Sequence, residues 1–263
     1  GHIMVDQIVF SDSSQVDQAP LDQQPDYGSM ALAVVGPTAG VSASTSFDVA
    51  GGELEDAAKD ASAPFDANSP VGALGRELTL KPGQSATVRF VVAWYFPNVR
   101  VPITKTPQGE YYATKFKSAA DVAERVAKKY DELAGKTRLW HDTWYDSTLP
   151  YWFLDRTFAN TSILATNTCN LMSDGRFVGW EGVYHGNGTC THVWGYVQAP
   201  GRLFPEIERR LREMVDYKAG VGFVPETGLV AYRAGYRFEP AVDGQAGIIL
   251  RTYLVHEMQT DDA

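Results

Sequence analysis

The stretch Arg76–Phe96, "RELTLKPGQSATVRFVVAWYF", decides the fold class of the first part of the chain. It contains the turn signal "KPGQ", and apolar residues alternate with polar ones on both sides of that turn. The alternating apolar positions are Leu78, Leu80, Val88, Phe90 and Val92. A period of two around a Pro-Gly turn predicts a β-hairpin.

Two further strand-like segments precede the hairpin, Met30–Val35 ("MALAVV") and Val41–Val49 ("VSASTSFDV"). Both are short, rich in residues that favour strands, and bounded by Gly, Pro and Ser. Gly51–Pro70 is polar and acidic, which indicates a surface loop. The first part of the chain is therefore predicted to belong to a β-sandwich.

The pattern becomes helical after about residue 100. Ser118 is a good N-cap for an amphipathic helix, and Pro150 opens a second helix that is apolar enough to be buried. Between Leu203 and Val215, apolar residues recur every four positions. A last helix is predicted to begin at a capping Asp243, with three residues on its inner face: Ala246, Leu250 and Leu254. Strands followed by helices, without alternation, favour two stacked regions over a Rossmann-type sheet.

Composition excludes several classes of function. The net charge of −9 over 263 residues supplies no basic stripe for phosphates, so we expect no nucleic-acid partner. No apolar run approaches the ~20 residues that span a bilayer. The opening "GHIM" resembles a cloning remnant and no signal peptide is visible, which favours the cytoplasm. Cys169 and Cys190 are too few for a disulfide scaffold and are expected to be reduced or structural.

The segment Gly179–Trp194, "GWEGVYHGNGTCTHVW", concentrates side chains that can carry chemistry. Glu181 lies between glycines, which allow close approach of the backbone to a ligand, and beside Trp180. A carboxylate in such a turn can be a nucleophile or an acid/base with a tuned pKa. It can equally be a solvated loop residue or a helix cap, and the residues alone leave both open.

The same segment invites a zinc interpretation through His185, Cys190 and His192, with Glu181 as a fourth ligand. The spacing H-x4-C-x-H matches none of the usual zinc patterns, and no second pair of ligands lies nearby. We therefore expect no metal and no cofactor, and packing or substrate hydrogen bonding for these side chains.

Thr191 is a good N-cap for a helix that would place His192 in its first turn, where exposed N–H groups and the helix dipole gather polar ligands. The alternative is that His192 caps its own helix or binds a backbone carbonyl. Trp194 is more often a core residue than a platform for a sugar.

A second group lies in Leu139–Pro150, "LWHDTWYDSTLP". Asp142 and Asp146 flanked by tryptophans resemble the carboxylate pair of a glycosidase pocket. A helix exit with capping acids explains the same residues more simply, and we prefer that interpretation. The sequons at Asn160 and Asn187 lack a secretory context.

Four segments in order, "YDSTLPYW", "DGRFVGWEG", "GTCTHVWGYVQA" and "RLFPEIERRLRE", resemble the β-glucosidases of glycoside hydrolase family 116, the family of the non-lysosomal (bile-acid) glucosylceramidase. Two earlier segments, "DYGSMALAV" and "YYATKFKSAADVAERV", are similar to that family's sandwich and linker. The resemblance covers most of the chain except the acidic loop.

The resemblance implies a β-sandwich followed by an incomplete (α/α)6 helical toroid. Residues 1–104 would be the C-terminal part of the sandwich, 105–140 a linker helix, and 141–263 the first part of the catalytic domain. Family members are several hundred residues longer, so the chain is expected to be a fragment. An incomplete toroid would leave apolar helix faces for a dimer partner or a missing C-terminal half.

The resemblance also implies retaining hydrolysis of β-glucosides, including glucosylceramide-like ones, through a Glu nucleophile and an Asp acid/base. Glu181 matches the nucleophile, and His192 falls where the family binds a sugar hydroxyl, with Thr191 and Trp194 as neighbouring substrate-binding residues. The acid/base lies beyond Ala263 in that comparison, and it matches none of the chain's candidate carboxylates: Asp142, Asp146, Asp174 and Asp243. Turnover by this chain alone is expected to be poor.

Two departures from the family pattern lie just after His192. Gly195 stands where the family more often has Asn, and Pro200-Gly201 should interrupt a helix that is continuous in relatives. Two other functions stay open: a non-catalytic fragment that binds carbohydrate or a partner, and another (α/α)6 carbohydrate-active enzyme that uses a general base.

Overall fold

The computed structural model describes residues 4–11, 20–44, 72–101, 109–180, 182, 188–194, 201, 203–235 and 239–257. The chain divides into two compact units. The first comprises Gly1–Asn98 and Ala113–Trp140, and the second comprises Val99–Tyr112 and His141–Ala263. The described residues form small antiparallel sheets and helices, so the sandwich, the toroid and their boundaries stay predictions.

The first unit is built on a three-stranded antiparallel sheet in the order β1–β2–β5, beside a two-stranded sheet of β3 and β4. The strand bounds are β1 Met4–Ser11, β2 Ser29–Gly36, β3 Val41–Ser44, β4 Ala73–Arg76 and β5 Arg89–Tyr95. The strand predicted at Met30–Val35 is confirmed. The one predicted at Val41–Val49 is confirmed at its start, and 45–49 lie outside the described residues.

Helix α1 (Ala119–Lys128) begins where the sequence predicts it. The Ser118 hydroxyl accepts a hydrogen bond from the Asp121 N–H at 3.1 Å, which confirms the N-cap. A second serine also caps the start of α1: the Ser29 hydroxyl on β2 accepts a hydrogen bond from the Ala119 N–H at 3.1 Å. The two serines satisfy two of the N–H groups that a helix start leaves without partners.

The core between α1 and the sheet is made of small side chains. Ala31 and Ala33 on β2 pair with Ala93 and Val91 on β5, and this face packs against the buried alanines of α1. Small residues on both elements let the helix lie close to the sheet. Each of these residues buries only a small apolar area.

The predicted hairpin is wrong in its first strand. The "KPGQ" turn is present, with the Gln84 N–H donating to the Lys81 carbonyl at 3.0 Å and Gly83 at φ +80°. Residues 77–88 nevertheless pair with no strand, and the Leu78 and Leu80 side chains are 46% and 50% exposed. A turn signal fixes a local bend, but a ladder also needs an available partner edge, and β5 pairs with β2 instead.

The alternating apolar residues of β5 do not mark its buried face. Phe90 and Val92 are 47% and 59% exposed, whereas Val91 and Ala93 are buried. Both faces of this strand are apolar, so period-two alternation alone does not choose between them. The smaller residues face α1 because the close approach of the helix requires them.

The remaining helices are α2 Tyr130–Tyr145, α3 Tyr151–Phe158, α4 Thr191–Trp194, α5 Pro205–Leu211 and α6 Val242–Glu257. Two short antiparallel pairs accompany them, β6 Cys169–Leu171 with β7 Phe177–Gly179 and β8 Phe223–Val224 with β9 Leu229–Val230. The helix predicted from Pro150 to Cys169 is shorter, since α3 gives way to 3₁₀ turns at Ala159–Ala165. Within the described residues, no helix is long and apolar enough to cross a membrane.

Two predicted helix faces differ from the structure. In α3, Leu154 is buried, but Tyr151 and Trp152 are 66% and 69% exposed, so this helix is not the buried one that its composition predicted. In α6 the predicted inner residues Ala246, Leu250 and Leu254 are exposed. The buried stripe runs instead through Gly244, Ile248, Arg251 and Val255.

That stripe is set by charge rather than by hydrophobicity. Arg251 on α6 binds Glu208 on α5, with Nε donating to Oε1 at 2.7 Å and Nη2 contacting Oε2. Arg212, in the π-helical turn Arg212–Asp216 that follows α5, lies 3.2 Å from the Glu208 carboxylate and contacts Asp216. All four residues are at most 5% exposed, so the described core contains two cations and two anions that neutralise each other.

Ser118→Ala should lower the free energy of unfolding by about 1 kcal/mol, because the Asp121 N–H loses its partner at the start of α1. Urea denaturation measures the change. Ser85→Ala, in the exposed loop before β5, is the matched control and should change stability by no more than about 0.5 kcal/mol. Equal losses in the two variants would contradict the capping role.

Asp216 should make stability depend on pH. Burial raises the pKa of Asp216 from 3.8 to about 6, against the opposing charges of Arg212 and Arg251. The folded chain therefore holds this proton more tightly than the unfolded chain, and the resulting stabilisation is complete below about pH 4 and lost as the pH rises through about 6.

Between pH 4 and 7, the free energy of unfolding of Asp216→Asn should rise relative to the native chain by on the order of 2–3 kcal/mol. Urea denaturation at a series of pH values checks this. Asp142→Asn, at a side chain 72% exposed, is the control. Native and Asp216→Asn curves that stay parallel over this range would rule out the raised pKa.

Candidate functional site

The β6–β7 pair fixes the backbone that leads to Glu181. Cys169 lies opposite Gly179, and the Trp180 N–H donates to the Thr168 carbonyl at 2.8 Å, which extends the pairing by one residue. All three residues of β7 are buried. The chain is therefore held in an extended, buried conformation up to the residue immediately before Glu181.

Trp180 is a core residue. Its side chain is 5% exposed and packs with Val101, Met172 and Val178. A ring enclosed in this way fixes the end of β7 and leaves little of the indole face for a sugar. Among the predicted site residues, Glu181 and His185 lie outside the described residues, so their positions stay predictions.

The chain returns to the end of β7 at Gly188 and Thr189. The Thr189 N–H donates to the Gly179 carbonyl at 2.6 Å. Gly188 has φ +64°, and a Cβ added there would lie 2.6 Å from the Trp180 ring. This hydrogen bond therefore places Gly179, two residues before Glu181, next to Thr189, three residues before His192.

Thr189 is strained. Its φ of +43° is rare for a β-branched side chain, and such conformations persist where the surroundings over-determine them. Its hydroxyl is buried and has no hydrogen-bond partner among the residues that the structure describes. Backbone strain of this kind clusters at ligand and catalytic sites, although by itself it identifies none.

Thr191 begins α4 but does not cap it as predicted. Its N–H and its hydroxyl both donate to the Tyr232 carbonyl, at 3.1 and 3.3 Å. The residue is 3% exposed and packs against the backbone of Tyr232, and its role in substrate binding stays a prediction. Trp194 closes α4, and its side chain lies outside the described residues.

His192 is half-buried and lies against a residue that the sequence did not single out. Its ring centroid is 5.2 Å from that of Tyr232, at an interplanar angle of 55°. The Arg233 guanidinium lies 5.1 Å from the Tyr232 ring, and Arg233 forms an isolated bridge with Cys190. Tyr232 and Arg233 are some forty residues from His192, and no local motif links them to it.

Arg233 keeps a positive charge in this group. Burial lowers its pKa, but hydrogen bonds to Tyr232 and Cys190 and electrostatic interactions with the same two side chains outweigh burial and raise the pKa overall. The described part of the site thus combines an imidazole, a phenol and a guanidinium, all capable of hydrogen bonding to the hydroxyls of a sugar.

Three of the other candidate carboxylates, Asp142, Asp174 and Asp243, form local contacts. Asp142 and His141 pair at 3.0 Å on the exposed end of α2, and Tyr145 of the same helix donates to Asp155. Asp174 binds Arg176 at 2.7 Å in the β6–β7 turn. Asp243 lies inside the first turn of α6, which begins at Val242, and accepts from the Gly244 N–H at 2.9 Å. Asp243 is therefore not the N-cap that the sequence predicted.

The cysteines are both free thiols, as expected. Burial raises the pKa of Cys169. Among the described residues, no three His, Cys, Asp or Glu side chains cluster as a metal site would require. Asn187 lies outside the described residues, as does the side chain of Asn160.

A separate cleft of about 400 Å³ lies along α5, lined by Tyr111, Leu171, Arg210 and residues 203–207. None of the residues predicted from the sequence to act in the site lines it. Its lining is mainly apolar, with Glu206 and Arg210 as charged groups.

Gly188→Ala should lower the free energy of unfolding by about 2 kcal/mol or more, because the new methyl group meets the Trp180 ring at a positive φ. Gly228→Ala is the matched control: its φ is +71°, and an added Cβ meets nothing within 4 Å. It should lose only about 1 kcal/mol for the backbone. Denaturation measures both, and equal losses would contradict the contact with Trp180.

Comparison with known proteins identifies one family. Residues 7–133 match the family described as "beta-glucosidase 2, glycosyl-hydrolase family 116 N-term". A search of the curated proteins found no match. The match includes the larger part of β1, all of β2 to β5 and helix α1, and it ends before Glu181. Residues 7–133 therefore match the N-terminal domain of glycoside hydrolase family 116, which supports the family that the motifs predicted.

Proposed function

We propose that this chain is part of a retaining β-glucosidase in which Glu181 is the nucleophile and His192 binds a sugar hydroxyl. Membership of a glycoside hydrolase family supports the reaction class. The observation that carries the assignment is the hydrogen bond from Thr189 to Gly179. It joins the approach to Glu181 to the start of the helix that holds His192.

The proposed chemistry follows from this pairing. A Glu181 carboxylate oxygen attacks the anomeric carbon, a glycosyl–enzyme ester forms, and the bond to the leaving oxygen breaks. Hydrogen bonds from His192 to a ring hydroxyl orient the sugar for attack. Water then cleaves the ester and restores Glu181.

A second carboxyl about 5–5.5 Å from Glu181 would protonate the leaving oxygen in a retaining enzyme. The proposal assigns no such residue in this chain, because none of its candidate aspartates matches the acid/base of the family. Departure of an ordinary alcohol should therefore be slow. An activated leaving group needs no protonation and bypasses this step.

The proposed architecture is the one that the family resemblance implies, a sandwich sheet followed by part of a helical toroid. The described sheet of β2 and β5 supports a sandwich because Phe90, Val92 and Trp94 present apolar side chains on the face away from α1. The exposed side of α6 supports helical neighbours in the same way, with Ile249, Leu250 and Tyr253 each at least 58% exposed.

Incubation with 2,4-dinitrophenyl 2-deoxy-2-fluoro-β-glucoside should add one fluoroglucosyl group to the chain. The fluorine slows hydrolysis of the ester, and dinitrophenolate leaves with the bonding electrons without needing a proton. Intact mass and peptide mapping should place the adduct on Glu181. Glu181→Gln should remove it, whereas Glu206→Gln, at an exposed residue of α5, should keep it.

The other outcomes separate the competing functions. Measurable binding of methyl β-glucoside without any adduct would favour a carbohydrate-binding fragment. An adduct on another carboxylate would refute Glu181 as the nucleophile. Neither adduct nor binding would refute both interpretations for this chain.

A further inference from the structure

The helix that carries His192 is supported by a second helix. Helix α4, which carries His192, packs against α6. The closest approach is at Gly244, where an added Cβ would lie 2.3 Å from the Thr191 hydroxyl oxygen and 2.9 Å from the His192 backbone nitrogen. No side chain larger than hydrogen fits there without moving α4.

Thr191 supplies the opposing constraint. Its N–H and hydroxyl both bind the Tyr232 carbonyl, while its hydroxyl oxygen faces Gly244. The residue is thus held between α6 on one side and the Tyr232 backbone on the other. Because His192 follows Thr191 directly, this clamp sets where the imidazole meets the Tyr232 ring.

Helix α6 is itself held in register. Gly244 and Arg251 are seven residues apart, two helical turns, and so lie on the same side of the helix. Arg251 makes its two-point contact with Glu208 of α5 in the buried charge cluster. A shift of α6 along its axis would break that ion pair. The ion pair therefore fixes where Gly244 lies along the axis of α6, and so where α6 contacts α4.

We infer that Gly244 and Thr191 are positioning residues for His192: α6, held by the Arg251–Glu208 pair, seats α4 through Gly244 so that the imidazole lies against Tyr232. The inference rests on the proposed function only where it treats His192 as a sugar ligand. Neither residue is expected to touch the sugar, since both are buried.

The first test reads the His192 ring directly in the sugar-free chain. The chain contains five histidines, so ring resonances of a histidine-labelled sample can be assigned by loss of one signal in His192→Ala. Gly244→Ala and Thr191→Val should each move the His192 resonance, because the ring current of Tyr232 depends on their mutual geometry. Thr191→Ser keeps the hydroxyl and should restore the native position.

Gly135→Ala is the matched control, a glycine within α2 where an added Cβ meets nothing within 4 Å. It should leave the His192 resonance unchanged. Thr191→Val preserves shape and removes one hydrogen bond, so it keeps the test decisive if Gly244→Ala does not fold. An unmoved His192 resonance in folded Thr191→Val or Gly244→Ala overturns the inference.

The second test measures coupling in binding of methyl β-glucoside, in chains that also carry Glu181→Gln to prevent turnover. Gly244→Ala should weaken binding by about three- to tenfold, the value of one ligand hydrogen bond. Combined with His192→Ala it should cause no further loss, because it acts through that ring.

The two readouts separate the two proposals. Additive losses in the binding cycle would mean that Gly244 acts elsewhere and would overturn its positioning role. A chain that binds no glucoside, yet shows the expected shifts of the His192 resonance, would retain the positioning role and refute the proposed function.

Discussion

The ion pair between Arg251 and Glu208 is the interaction on which the described part of the second unit depends. It joins α6 to α5 through two contacts, and Arg212 and Asp216 complete a cluster of zero net charge. Buried charges are costly, and removal of one partner leaves the others uncompensated. The cluster therefore stabilises one register of α6 and strongly destabilises the adjacent registers. An apolar stripe of the same size would not discriminate between registers in this way.

The register chosen in this way explains which side of α6 faces outward. Once Arg251 points at α5, Leu250 and Tyr253 point away from α5, because they lie about 100° and 160° from Arg251 around the helix. They are 63% and 58% exposed. An apolar outer face is then a consequence of the inward charge cluster, and its exposure is the physical basis for proposing further helices around this unit.

The sequence predicted those features that depend on neighbouring residues. The cap at Ser118, the strand at Met30–Val35 and the turn at "KPGQ" follow from local backbone preferences and are present. The first strand of the hairpin was wrong because pairing depends on a distant edge. The buried faces of β5 and α6 do not follow from the sequence, because both elements are apolar on more than one side. Packing against α1 selects the buried face of β5, and the ion pair of Arg251 selects that of α6.

The candidate site also contains residues that a local motif predicts and residues that only the tertiary structure brings together. Glu181 and His192 stand out in a short motif, whereas Tyr232 approaches His192 through the bridge between residues 190 and 233 and the hydrogen bonds from Thr191 to the Tyr232 carbonyl. No spacing rule connects positions forty residues apart. The cluster around Arg251 was equally invisible, since "PEIERRLRE" is typical of a solvated helix face until α6 supplies a partner for Glu208.

The positive φ angles of Gly188 and Thr189 are explained by the groups that surround them. Two consecutive residues with positive φ are stable only if their surroundings hold them, and here the Gly179 carbonyl and the Trp180 ring do so. Both of those groups belong to the buried end of β7. The ends of the segment around Glu181 are thereby attached to packed elements at residues 180 and 188–192. Such attachment is what a nucleophile needs if it is to meet an anomeric carbon within a few tenths of an ångström.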